Sequence, residues 1–124
     1  MKRTFLFLAA IILLVLTFAP TAGGQKPYGI AEQRQVTFAA PVWVGGVLLP
    51  AGGYTVRHTM EGADHVMLFT AVRGKPPLEA RAKCELVATE RPLHENRAGF
   101  RLNRAGEQVL TLLAFKGDSA EHRF

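Results

Sequence analysis

The chain has 124 residues, 48% of them hydrophobic, with twelve Gly, seven Pro, one Cys and a formal charge of +5. That length holds one domain, and a lone Cys excludes an intramolecular disulfide framework. With 20% charged residues and no glycine period, neither wholesale disorder nor a collagen-like chain fits.

Met1, Lys2 and Arg3 open the chain with positive charge, and Phe5 to Phe18 follow as a fourteen-residue apolar run. This is the length of a signal-peptide core and short of the ~20 residues that span a bilayer. Pro20 ends the run, and Thr21-Ala22-Gly23-Gly24 supplies small residues for a peptidase. Residues 1–24 are predicted to be an N-terminal signal helix, removed after export to the periplasm or the extracellular space. No membrane insertion is then expected of the mature chain; the rival reading keeps the segment as an uncleaved anchor. Loss of Lys2 and Arg3 lowers the net charge to +3. The remaining basic residues alternate with acids, so a solvated surface is expected and no nucleic-acid interface.

Residues 25–33 read as a flexible leader, and residues 34–124 as an all-β domain. No stretch carries apolar residues at helical spacing. Short runs of Val, Leu, Phe, Tyr and Thr are instead punctuated by Gly, Pro and Asn. Gln35 to Ala39 is the first predicted strand. Val42 to Val44 and Val47 to Leu49 form a hairpin about Gly45-Gly46, pairing Val44 with Val47 and Trp43 with Leu48. Leu49-Pro50-Ala51-Gly52 is a turn, with Pro where a fixed φ is wanted and Gly where a positive φ is wanted.

Tyr54 to Met60 follows, with Tyr54, Val56, His58 and Met60 on one face. Glu61-Gly62 turns into His65 to Val72, which is apolar on both faces and reads as a central strand. After the loop Arg73 to Pro77, Leu78 to Ala88 alternates cleanly. Leu78, Ala80, Ala82, Cys84, Leu86 and Ala88 face inward and Glu79, Arg81, Lys83 and Glu85 outward. A polar connection spans Thr89 to Asn96. Gly99 to Leu102 and Gln108 to Phe115 form a hairpin about Asn103-Arg104-Ala105-Gly106, and Ser119 to Phe124 closes the domain.

The fold class expected is thus a single small antiparallel β-barrel or a two-sheet β-sandwich of about eight short strands. The closing strand favours a barrel, because closure removes exposed edges. The predicted inward set includes Val36, Phe38, Tyr54, Val56, Leu68, Ala82, Cys84, Leu86, Phe100, Leu102, Leu113 and Phe115.

Few residues invite chemistry. Cys84 lies on the small-residue face of its strand and reads as a buried small hydrophobe. His58, His65, His94 and His122 show no ligand spacing. His58, His122 and Cys84 would approach one another from three strands only if the fold brought them together, and core histidines are the simpler expectation. Glu79, Glu85, Glu90, Glu95 and Glu107 sit on polar faces or in loops beside Arg and Lys, as surface ion pairs do. No catalytic residue, cofactor or metal is assigned.

The run Pro41-Val-Trp-Val-Gly-Gly-Val-Leu-Leu-Pro-Ala-Gly-Gly-Tyr-Thr-Val56 resembles a family of small secreted bacterial all-β proteins with a P-V-x-V-G-G-x-x-L-P-A-G-x-Y-x-V core. A terminal segment with Phe115, Gly117 and Phe124 extends the resemblance. It implies export and an all-β fold, and it brings no catalytic residues. The leading functional expectation is a noncatalytic binding or interaction module of the bacterial envelope. It would present residues 73–77 and 89–98 to an envelope protein or a glycan. The alternative is a carrier of lipid or another small hydrophobic molecule, of lipocalin-like type, with Trp43, Tyr54, Phe69 and Phe100 lining its pocket. A metal-assisted enzyme built on Cys84 and the histidines is the third reading.

Overall fold

The computed structural model describes Ile30 and residues 32–124. The predicted signal segment, and the leader apart from Ile30, Glu32 and Gln33, lie outside the described residues. Nine strands follow in order: β1 (Gln33–Phe38), β2 (Val42–Val44), β3 (Val47–Leu49), β4 (Gly52–Glu61), β5 (Asp64–Gly74), β6 (Pro77–Ala88), β7 (Arg97–Leu102), β8 (Gln108–Ala114) and β9 (Ala120–Arg123). No helix among the described residues is long and apolar enough to cross a membrane.

The strands form one sheet in the order β1-β4-β5-β6-β9-β8-β2-β3, with β7 added on β8. Two expectations are corrected here. The sheet is mixed, because β2 pairs β8 in parallel through Val42 with Gln108 and Trp43 with Val109. It is also neither two separate sheets nor a closed barrel. β6 explains both. Residues from Pro77 to Cys84 pair β5, whereas Glu85 to Ala88 pair β9, so one long strand carries the sheet from one half to the other. The two halves meet over one core that includes Phe38, Val42, Leu49, Tyr54, Phe69 and Leu113. A strand that continues from one half into the other lets both halves share that core.

The local hairpins form as their residues dictate. Gly45 and Gly46 have φ of 56° and 82°, the paired positive values of a two-residue I′ turn. Val44 then faces Val47 and Trp43 faces Leu48. A Cβ on Gly45 would also collide with the Arg81 carbonyl oxygen, so the turn packs on the β6 backbone at a point where only glycine fits. Asn103 caps the β7–β8 turn: its Oδ1 accepts from the amides of Ala105 (3.0 Å) and Glu107 (2.9 Å). The phenol of Tyr54 donates to the Pro50 carbonyl, which makes the Leu-Pro-Ala-Gly-x-Tyr element a turn lock.

The alternation of β6 holds from Glu79 to Leu86, whereas Leu78 and Ala88, expected to face inward, are exposed at the two ends of the strand. Ala80 is buried, Ala82, Cys84 and Leu86 are half-buried, and Glu79, Arg81, Lys83 and Glu85 are exposed. The inward set needs three corrections. Leu68 pairs Arg57 and Arg81, both exposed, and so lies on the outer face. Phe100 and Leu102 are 39% and 67% exposed. They sit on β7, an edge strand whose register slips between Gly99 and Phe100. A slip of that kind re-aims side chains, and an edge strand has a neighbour on one side only. Phe100 reaches the rim of the core, 6.3 Å from the Phe38 ring in an edge-on contact. The Arg73 to Pro77 loop is tighter than expected: β5 runs to Gly74 and β6 starts at Pro77, leaving Lys75-Pro76 between them.

Candidate functional site

Four adjacent strands, β4-β5-β6-β9, each place one sulfur or imidazole side chain on the inner face at one end of the core. The register makes this happen. His58 of β4 stands opposite Met67 of β5. Two residues before Met67, and so on the same face, is His65, which stands opposite Cys84 of β6. Two residues beyond Cys84, Leu86 stands opposite His122 of β9.

The side chains touch. The His58 and His65 rings stack with centroids 5.1 Å apart and planes at 26°, and the His58 and His122 centroids are 5.2 Å apart. His122 meets the Phe115 ring edge-on at 5.8 Å. Its Nδ1 lies 3.8 Å from Cys84 Sγ. The donor atoms of His58, Cys84 and His122 all lie within 4.8 Å of one another. His122 is fully buried. His58 Nε2, His65 Nδ1 and His122 Nε2 are buried without a hydrogen-bond partner among the described residues. Burial holds His122 largely neutral: desolvation, then the charges of His58, His65 and Arg34, lower its pKa to about 4. His58 is lowered by desolvation and by His65. Desolvation pushes the Cys84 thiol up to about 11.

Beside this cluster Arg34 reaches across the end of the core. It lies over the Phe115 ring, 5.6 Å from its centroid, and donates to Asp118 Oδ1. Asp118 is fully buried, and its Oδ2 and Arg34 Nε have no partner among the described residues. Desolvation raises the Asp118 pKa, and the charge and hydrogen bond of Arg34 offset this only in part.

The pattern of the sequence favours isolated core histidines; the structure joins His58, Cys84 and His122 and adds His65. His94 lies exposed in the connection after β6, apart from the cluster. Of the four aromatic residues proposed to line a carrier pocket, Tyr54, Phe69 and Phe100 pack around the Phe38 ring, with centroids 5.7, 6.4 and 6.3 Å from it. Phe69 and Tyr54 are core side chains, and Phe100 is on the rim. Trp43 is half-buried and lines an open depression of about 320 Å³ with Arg101 and Val109. Tyr54 borders a different one of about 510 Å³ with Pro50 and Val72. No protein-family model, curated protein or solved structure matches the chain.

The thiol provides a direct check on the face assignment. Cys84 is expected to resist a thiol reagent in the folded protein and to react once it is unfolded. Cys84→Ser, which puts a hydroxyl into this apolar setting, is expected to cost about 1–3 kcal/mol in denaturant titrations. Rapid labelling of the native protein would contradict the inward placement.

Proposed function

We propose that the protein is an exported, noncatalytic interaction module of the bacterial envelope whose partner adds an extended segment to an open seam in the sheet. One observation carries this reading. Among the described residues β1 pairs only β4, and β7 pairs only β8, so each leaves one edge without a strand. A groove of about 360 Å³ runs between them, lined by Gln35 to Thr37 on one side, Asn96 to Ala98 on the other, and Leu113 to Phe115 at its floor. Unpaired edges flanking an apolar floor suit strand addition, in which backbone bonds give affinity and alternate side chains give selectivity.

The loop placed beside the seam is well fixed. The Leu93 amide donates to the Asp118 carbonyl and the Leu93 carbonyl accepts from the Gly117 amide, while Asn96 Oδ1 accepts from the Lys116 amide at 2.7 Å. A noncatalytic role is supported by the chemistry. The Cys84 thiol stays protonated near neutrality. Glu61 and Asp64 are engaged by Arg81 and Lys83 at the surface. The apolar run at Phe5 to Phe18 and the resemblance of residues 41–56 to secreted β-proteins support export.

Hydrogen exchange tests the proposal on protein recovered from the host, alone and mixed with the host's periplasmic extract. Protection gained in residues 33–38 and 97–102 is expected. Protection gained only elsewhere, or none at all, would overturn the seam as the binding surface.

A further inference from the structure

We infer that His58, Cys84 and His122 form a binding site for a single copper(I) ion at the end of the core. The donor set is two imidazoles and a thiol with no carboxylate among them, which selects soft and borderline cations over calcium, magnesium or manganese. The spacing fits. A metal bonded to sulfur at ~2.3 Å and nitrogen at ~2.0–2.1 Å holds those two donors about 3.5–3.8 Å apart, and Cys84 Sγ and His122 Nδ1 are separated by 3.8 Å. His58 completes the triangle within 4.8 Å and needs only a small ring movement. Ligation through Nε2 of His58 would also give a partner to a ring nitrogen that is otherwise buried without one. Buried polar atoms left in that state are rare and point to a role.

Charge separates copper(I) from zinc. On binding, the thiol proton leaves to solvent and the sulfur bonds the metal as thiolate. Copper(I), one thiolate and two neutral imidazoles sum to zero charge. Zinc(II) in the same donors leaves one positive charge inside an apolar pocket, with the Arg34 guanidinium nearby, and burying an unpaired charge is costly. Met67, buried opposite His58 on the same face, surrounds the site with a further soft side chain. Entry is from the His58 end, where that residue is half-buried and Met60 is 50% exposed.

The experiment titrates the chelator-stripped, reduced protein with Cu⁺ against a coloured Cu⁺ chelator, and separately with Zn²⁺. One Cu⁺ per chain is expected, with X-ray absorption showing one sulfur and two nitrogen neighbours. Cys84→Ser and His122→Gln are each expected to weaken Cu⁺ binding at least about a hundredfold, while His94→Gln leaves it unchanged; tenfold corresponds to 1.4 kcal/mol. His58→Gln, at a half-exposed position that does not threaten the fold, is expected to lose at least about tenfold and keeps the test valid if His122→Gln unfolds. Failure to retain Cu⁺, retention indifferent to Cys84 and His58, or tighter binding of Zn²⁺ than of Cu⁺ would each overturn the assignment.

Discussion

Arg34→Met is expected to be among the most destabilising single changes in the domain. Arg34 is about one-third exposed, whereas the Asp118 carboxylate it holds is fully buried. Removing one partner of a buried pair strands the other charge, at a cost of ~3–5 kcal/mol; the exposure of Arg34 places the loss here nearer about 2–4 kcal/mol. The guanidinium also covers the Phe115 ring, and methionine keeps that apolar contact while removing the charge. The effect therefore isolates the ion pair. Arg34→Met combined with Asp118→Asn is expected to recover most of the loss, because no charge is then stranded. Urea midpoints of the single and double variants decide it: equal losses in both would show that Arg34 acts by packing alone.

This pair also shows where sequence reasoning stops. Arg34 and Asp118 are 84 positions apart. Nothing in the local pattern marks Asp118, which sits in a Lys-Gly-Asp turn and looks like ordinary loop chemistry. What was legible is local. Strand boundaries on β2 to β6 follow from alternation and from Gly-Gly and Pro-x-Gly turns, and the β7–β8 hairpin follows from Asn-x-x-Gly, because each such signal acts within a few residues. The parallel pairing of β2 with β8 has no such signal. Nor does the division of β6 between β5 and β9. Both are contacts of high sequence separation, and they decide between a closed barrel and an open curled sheet.

The His/Cys cluster lies between these extremes. Within the β4–β5 hairpin, the register set by the turn at Gly62-Ala63 pairs Glu61 with Asp64 and puts His65 on the His58 face. That much follows from counting outward from the turn. The β5–β6 register then brings Cys84 opposite His65 across another hairpin. His122 is different, since its approach depends on β9 docking against the far half of β6. Two of the three proposed copper ligands were thus within reach of the sequence, and the third needed the fold.

Acidification is expected to destabilise the metal-free protein well before its carboxylates titrate. In the unfolded chain His122 takes up a proton near its ordinary pKa of ~6.5. In the fold it does so only near pH 4. Between those values the unfolded state binds more protons, so stability falls as pH falls. The contribution is fully present above about pH 6.5 and is lost progressively toward pH 4, amounting to about 2 kcal/mol by pH 5 and about 3 kcal/mol by pH 4. The groups facing His122 agree with this sign. His58 on β4 is also lowered, which adds in the same direction. Cys84 on β6 stays protonated throughout the window and contributes nothing to the slope. The positive charges of His65 on β5 and Arg34 on β1 oppose imidazolium formation. Asp118 works the other way at the acid end, because its raised pKa makes the fold take up that proton earlier than the unfolded chain. Urea unfolding at pH 7.5 and pH 5 reads the net effect, and the His122 imidazole resonance is expected to stay unshifted between them. A His122 ring that titrates near pH 6.5 in the native protein, with flat stability across the window, would mean that the imidazole is solvated and not held among His58, Cys84 and Phe115.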